Sequence, residues 1–179
     1  MNVELIAYSS PMPYQCGTAC YFNTVYNPMH IIEQAASVCY DSEPDFVKFK
    51  IAKGCAKTGH LSVYEHAYFT FHVKGISRAC LAQLTRHRHF SSQRYCNESR
   101  SEPVFPASTD EDQDGIIADA YDYAWDAYDR LIENGVAKED ARTVLPNGAP
   151  TELYISANAR ALIEASHLRL CSRAQQEIR

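Results

Sequence analysis

The stretch Ala67-Tyr68-Phe69-Thr70-Phe71-His72-Val73 constrains the fold more than any other. Its β-branched and aromatic side chains suit a pleated, half-buried surface, and Lys74-Gly75 closes it, so it is predicted to be a strand. Two weaker runs join it: Val3 to Tyr8, and Thr151 to Ala157, where Leu153, Ile155 and Ala157 alternate with polar positions. No Gly-x-Gly-x-x-Gly follows a strand and no Gly-x-x-x-x-Gly-Lys-Ser/Thr loop is present, which argues against a doubly wound nucleotide fold.

Helical periodicity occupies most of the rest. From Pro28, residues Ile31, Ile32, Ala35, Ala36, Val38 and Cys39 recur at helical spacing, with Asn27 as N-cap and an end near Tyr40. Asp45 to Lys57 is predicted as a second helix and Ile76 to Leu84 as a third, with Gly59 to His66 a polar loop before the main strand. Thr109 to Asn134 is the longest, with Ile117, Tyr121, Ala124, Tyr128, Leu131 and Ile132 as its apolar stripe. Its first half is acidic, which complements the helix dipole. A short helix over Ala137 to Val144 and another over Asn158 to Leu170 follow. The last residues enter a further helix with no cap, so the natural C-terminus is expected beyond Arg179. Residues 9–28 are predicted to be irregular. The whole is an α+β chain, expected to form a single domain over residues 1–179.

Seven cysteines, an odd number without a Cys-x-x-Cys pair, point to reduced thiols in a cytoplasmic protein and not to a disulfide framework or structural zinc. No apolar run reaches the ~20 residues of a membrane helix, and Met1 to Leu5 does not read as a secretory signal.

Chemistry concentrates in two places. The segment from Gln83 to Tyr95 holds Arg86, His87, Arg88, His89 and Arg94, in a chain whose net charge is −5. Arginine forks gathered in an acidic protein suit a phosphate or carboxylate ligand. Just before the main strand, His60, Ser62, Glu65 and His66 crowd a short polar segment, where a rigid element can hold reactive side chains in place.

Five segments in order carry a resemblance. They are Gly59-His60-x-Ser62-x-x-Glu65-His66 before Phe69-Thr70-Phe71; Arg86-His87-Arg88 with Ser92-Gln93-Arg94-Tyr95; Ala141-Arg142-x-Val144-Leu145-Pro146; Asn158-Ala159-Arg160; and Leu168-Arg169 with Arg173-Ala174-Gln175-x-Glu177-Ile178-Arg179. Together they resemble the flavin-dependent thymidylate synthases. That family has seven residues between its Arg-His-Arg and the following Ser. Here three separate Arg88 from Ser92, so four residues are absent. Glu164 stands where the family usually has Asn.

The resemblance implies a central, mainly antiparallel sheet flanked by helices. It implies reductive methylation of dUMP to dTMP, with methylenetetrahydrofolate as carbon donor, FAD as redox cofactor and NADPH as reductant, in a homotetramer with shared active sites. Arg169 would be catalytic, activating the uracil ring without a cysteine nucleophile. Gln83, Arg86, Ser92, Gln93, Arg94, Arg142 and Arg169 would bind substrate. His60, Ser62, Glu65, Arg86, His87, Arg88, Asn158 and Arg160 would bind FAD.

Two other classes compete. A single-stranded nucleic-acid binder could use Arg86, Arg88, Arg94 and Arg100 with Phe90 and Tyr95 as stacking rings, but the acidic pI of about 5.8 weighs against it. A metal hydrolase built on His60, His66, His87 and His89 lacks any His-Glu-x-x-His spacing. No metal, nucleic-acid or membrane partner is expected.

Overall fold

A computed structural model of the chain describes residues 1–9, 27–86 and 100–179, together with the backbone of 90–92. Its elements are β1 (Asn2–Tyr8), α1 (Pro28–Cys39), α2 (Lys50–Lys57), β2 (Tyr68–Ser77), α3 (Arg78–Leu84) and β3 (Phe90–Ser92). After these come α4 (Glu111–Glu133), α5 (Lys138–Ala141), β4 (Pro150–Asn158) and α6 (Ala159–Arg169). Short 3-10 helices cover Leu61–His66, Arg142–Val144 and Gln176–Ile178. The four strands form one sheet in the order β1-β2-β4-β3. β3 runs antiparallel to β4, with Phe90 opposite Ile155 and Ser92 opposite Leu153. The α+β class read from the sequence is the class observed.

The chain forms two compact units. The first comprises Met1–Glu4, His72–Ile155 and Leu168–Arg179, and the second Leu5–Phe71 and Ser156–His167. In the first unit α4 lays Tyr121, Trp125 and Tyr128 against Ala141, Leu145 and Ala149. The rings meet edge to face, Trp125 lying 5.3 Å from Tyr128, an arrangement aromatic quadrupoles favour. Asp110 caps α4 by accepting from the Gln113 N–H at 2.9 Å, and Gly135 at φ +78° ends it, both as the sequence predicts. Trp125 was not among the residues expected inward, although it stands four after Tyr121 and is the largest side chain fully buried.

In the second unit Ile32 and Ala36 of α1 pack on Ala52 and Cys55 of α2, and on Val63, Tyr64 and Ala67. Asn27 caps α1, its side chain accepting from the Met29 N–H at 2.8 Å. The expected inner face of α1 needs correction. Val38 is 79% exposed, whereas Glu33 is fully buried. The reason is local: Glu33 caps α2 from another helix. Its carboxylate accepts from the backbone N–H groups of Asp45 at 3.1 Å, Ile51 at 3.3 Å and Ala52 at 2.7 Å.

Other boundaries shift for stated causes. The second helix begins at Lys50, not Asp45. Asp45 instead closes a turn by accepting from the Lys48 and Val47 N–H groups, which holds its carboxyl below the usual range, and Phe49 at φ 52° breaks the helical path. β2 continues through Gly75, whose φ of +67° a glycine tolerates, and ends at Ser77, which then caps α3. The segment predicted as a loop over Gly59 to His66 coils into a 3-10 helix that buries Val63 and Tyr64. Beyond α6 the predicted further helix is only a 3-10 turn at Gln176–Ile178.

Candidate functional site

The residues singled out by the sequence fall into two clusters. In the second unit the 3-10 helix Leu61–His66 turns its apolar side inward, leaving His60, Ser62, Glu65 and His66 exposed. Tyr64 fastens it by donating its hydroxyl to the Ala52 carbonyl at 3.1 Å. Glu65 Oε1 accepts from Arg160 Nη1 at 2.6 Å, and Glu164 Oε1 accepts from Arg160 Nε at 2.8 Å. Arg160 and Glu164 are one turn apart on α6, the spacing at which helix side chains meet. The two carboxylates push the guanidinium pKa up, Glu164 first and Glu65 second. Asn158 is not part of this triad. Its side chain accepts from the Ala161 N–H at 2.8 Å and so caps α6. His60 Nδ1 lies 3.4 Å from the Tyr40 hydroxyl.

In the first unit the cluster forms around α3. Arg169, half-buried at the end of α6, donates from Nη2 to the Gln83 carbonyl at 3.0 Å. The Gln83 side chain donates to the Gln175 carboxamide oxygen. Arg86 is exposed in the turn that follows α3, and Arg142 is half-buried at the start of its 3-10 turn. Cys80 sits within α3, 1% exposed. Burial pushes its thiol up to about 11, helped by the charge of Glu177 and opposed by that of Arg169. Gln83 and Arg169 are thus brought together as one group, and Glu65 and Arg160 as another. His87, Arg88, Gln93 and Arg94 and the side chain of Ser92 lie outside the described residues, as does the shortened spacing before Ser92.

Sequence reading missed Gln175 and Glu177 as members of the α3 cluster, though both stood in the final matching segment. It also missed Tyr40, whose only signal was an aromatic at the end of α1. Among the described residues, no three His, Cys, Asp or Glu side chains gather as metal ligands would. No helix of the described residues is long and apolar enough to cross a membrane.

These features define an α+β protein with an arginine held on the last turn of one helix and a separate arginine clasped by two carboxylates. The chain belongs to the family described as thymidylate synthase complementing protein, which it matches over residues 22–179. It is 44% identical over 127 residues to the flavin-dependent thymidylate synthase of Sulfurisphaera tokodaii, an alignment covering 68% of this chain and 49% of the relative. It is 41% identical over 170 residues to the enzyme of the same name from Geobacter sulfurreducens, covering 86% of this chain and 73% of that protein. The Pyrococcus abyssi protein of that name is 35% identical over 176 residues, covering 88% and 72%. The chain spans about half the length of its Sulfurisphaera relative. The family found is the one the ordered motifs resemble.

Proposed function

We propose that this chain is a cytoplasmic flavin-dependent thymidylate synthase that converts dUMP to dTMP. Methylenetetrahydrofolate is the carbon donor and NADPH the reductant, and the protein works as a homotetramer with shared active sites. The observation that carries the reading is the pairing of Arg169 with Gln83, two residues assigned to one substrate from segments 86 positions apart.

Arg169 is the catalytic residue of the proposal. A fixed cation stabilises negative charge as it develops on the uracil ring, and removing one such group costs ~10²–10³ in rate. The Gln83 carbonyl occupies one side of its fork, which leaves further N–H groups to meet the base. Arg86 and Arg142, with Ser92, Gln93 and Arg94, would hold the rest of the nucleotide, the forks suiting a phosphate dianion. A cysteine is not needed for ring activation. Cys80, the thiol that feels the charge of Arg169, is buried and protonated at neutral pH with its pKa near 11.

The exposed residues of the other cluster fit parts of FAD, which supplies the redox chemistry when bound. Arg160 with Glu65 and Glu164 carries one net negative charge. That favours hydroxyl and N–H donors, as on a ribose or a flavin ring, and disfavours a diphosphate. The diphosphate charge is therefore assigned to Arg86, His87 and Arg88. His60 and Ser62 offer further hydrogen-bonding groups on the same exposed face as Glu65.

The test is a visible absorption spectrum of the purified protein, followed by dUMP titration and an assay for dTMP. A flavin spectrum that shifts with dUMP, together with dTMP formation, supports the reading. A protein that takes up no added FAD, or a flavin spectrum that dUMP leaves unmoved with no dTMP made, refutes it.

A further inference from the structure

The segment after α6 grips α3 at both ends. At the N-terminal end Glu177 accepts twice from Ser77, from its N–H on Oε1 at 2.6 Å and from its hydroxyl on Oε2 at 2.6 Å. Ser77 Oγ accepts in turn from the Cys80 N–H at 3.0 Å, so Glu177 anchors the residue that caps the helix. At the other end Gln175 accepts from the Gln83 side chain, and the Gln83 carbonyl receives Arg169. Gln175 Nε2 also lies 3.5 Å from Glu177 Oε2, which links the two grips.

The energetics favour a directing role. Bonds to a carboxylate are about twice as strong as neutral ones. Ser77 is 3% exposed, so losing the carboxylate strands two buried donors. A helix of 7 residues has few internal bonds with which to hold its own position.

We propose that Glu177 is a positioning residue for Arg169: it locks α3 through Ser77, and α3 presents the Gln83 carbonyl that orients the guanidinium. The catalytic part of this rests on the reading of Arg169 given above. The experiment compares Glu177→Gln with Ser77→Thr, which keeps the hydroxyl. It follows kcat for dTMP, bound-flavin absorbance and the 15N resonance of the Arg169 guanidinium, assigned with Arg169→Lys.

Glu177→Gln is expected to lower kcat about 10²-fold, the scale of a small misplacement of a reacting group. Flavin should be retained and the Arg169 resonance shifted, while Ser77→Thr stays within a few-fold of the parent. A folded Glu177→Gln with the parent's kcat overturns the proposal. So does one that melts lower while the Arg169 resonance stays in place. If Glu177→Gln does not fold, Ser77→Ala, which keeps the N–H bond to Glu177, is read by the same criteria. If the parent makes no dTMP, the functional reading fails by itself, and the resonance alone still decides whether Glu177 positions Arg169.

Discussion

Arg169 and Arg160 show one side chain in two electrostatic settings. Arg169 has a neutral carbonyl as a partner, and its charge is still felt at Cys80. Arg160 is answered twice over by Glu65 and Glu164. Replacing each by Ala should therefore fail differently. Arg169→Ala is expected to lower dTMP formation by ~10²–10³, with visible flavin absorbance retained in the purified variant. Loss of flavin as well would reassign the residue. Arg160→Ala is expected to melt at nearly the parent temperature, because exposed ion pairs contribute little to folding, yet to come off a column with its flavin depleted. Equal flavin content in both proteins would remove Arg160 from the cofactor site.

α1 and α2 show what a single chain's pattern can and cannot reveal. Glu33 is expected to be indispensable to α2, which begins after a left-handed Phe49 and has no side-chain cap of its own. Glu33→Ala would leave three backbone N–H groups without their acceptor and should lower stability by about 3 kcal/mol, read as a fall in melting temperature. A change under ~0.5 kcal/mol would show that water replaces the carboxylate fully. The start of α1 was legible because Asn27 and Pro28 act on the turn beside them. The strand from Tyr68 was legible because its side chains alternate across a buried sheet. Glu33 was not, since a glutamate on a helix ordinarily faces solvent and its three partners lie 12 to 19 residues away. The short β3 was hidden for the same reason: its register is set by β4, far along the chain. Of the site, the arginines could be found from ordered motifs. Their partners Glu177 and Gln175 needed the fold to bring them to α3.

At the scale of the whole molecule, the buried thiol of Cys80 makes stability depend on alkaline pH. Its pKa rises from 9.0 to about 11. Below pH ~9 both folded and unfolded chains keep the proton, and the contribution is fully present. Between there and pH ~11 the unfolded chain releases the proton while the folded one holds it, so stability falls, by at most about 3 kcal/mol. Burial shifts the Tyr64 hydroxyl in the same direction. Cys80→Ala should show a shallower drop in melting temperature over that window. An identical drop would assign the alkaline loss elsewhere. The discontinuous units carry a different consequence, for synthesis. The first unit needs Met1–Glu4 from the beginning of the chain and Leu168–Arg179 from its far end. The second closes only with Ser156–His167. A growing polypeptide therefore cannot complete either unit while it is being translated. Its opening strand must wait at the ribosome, unpaired along part of its length, until the last helix and the segment after it emerge.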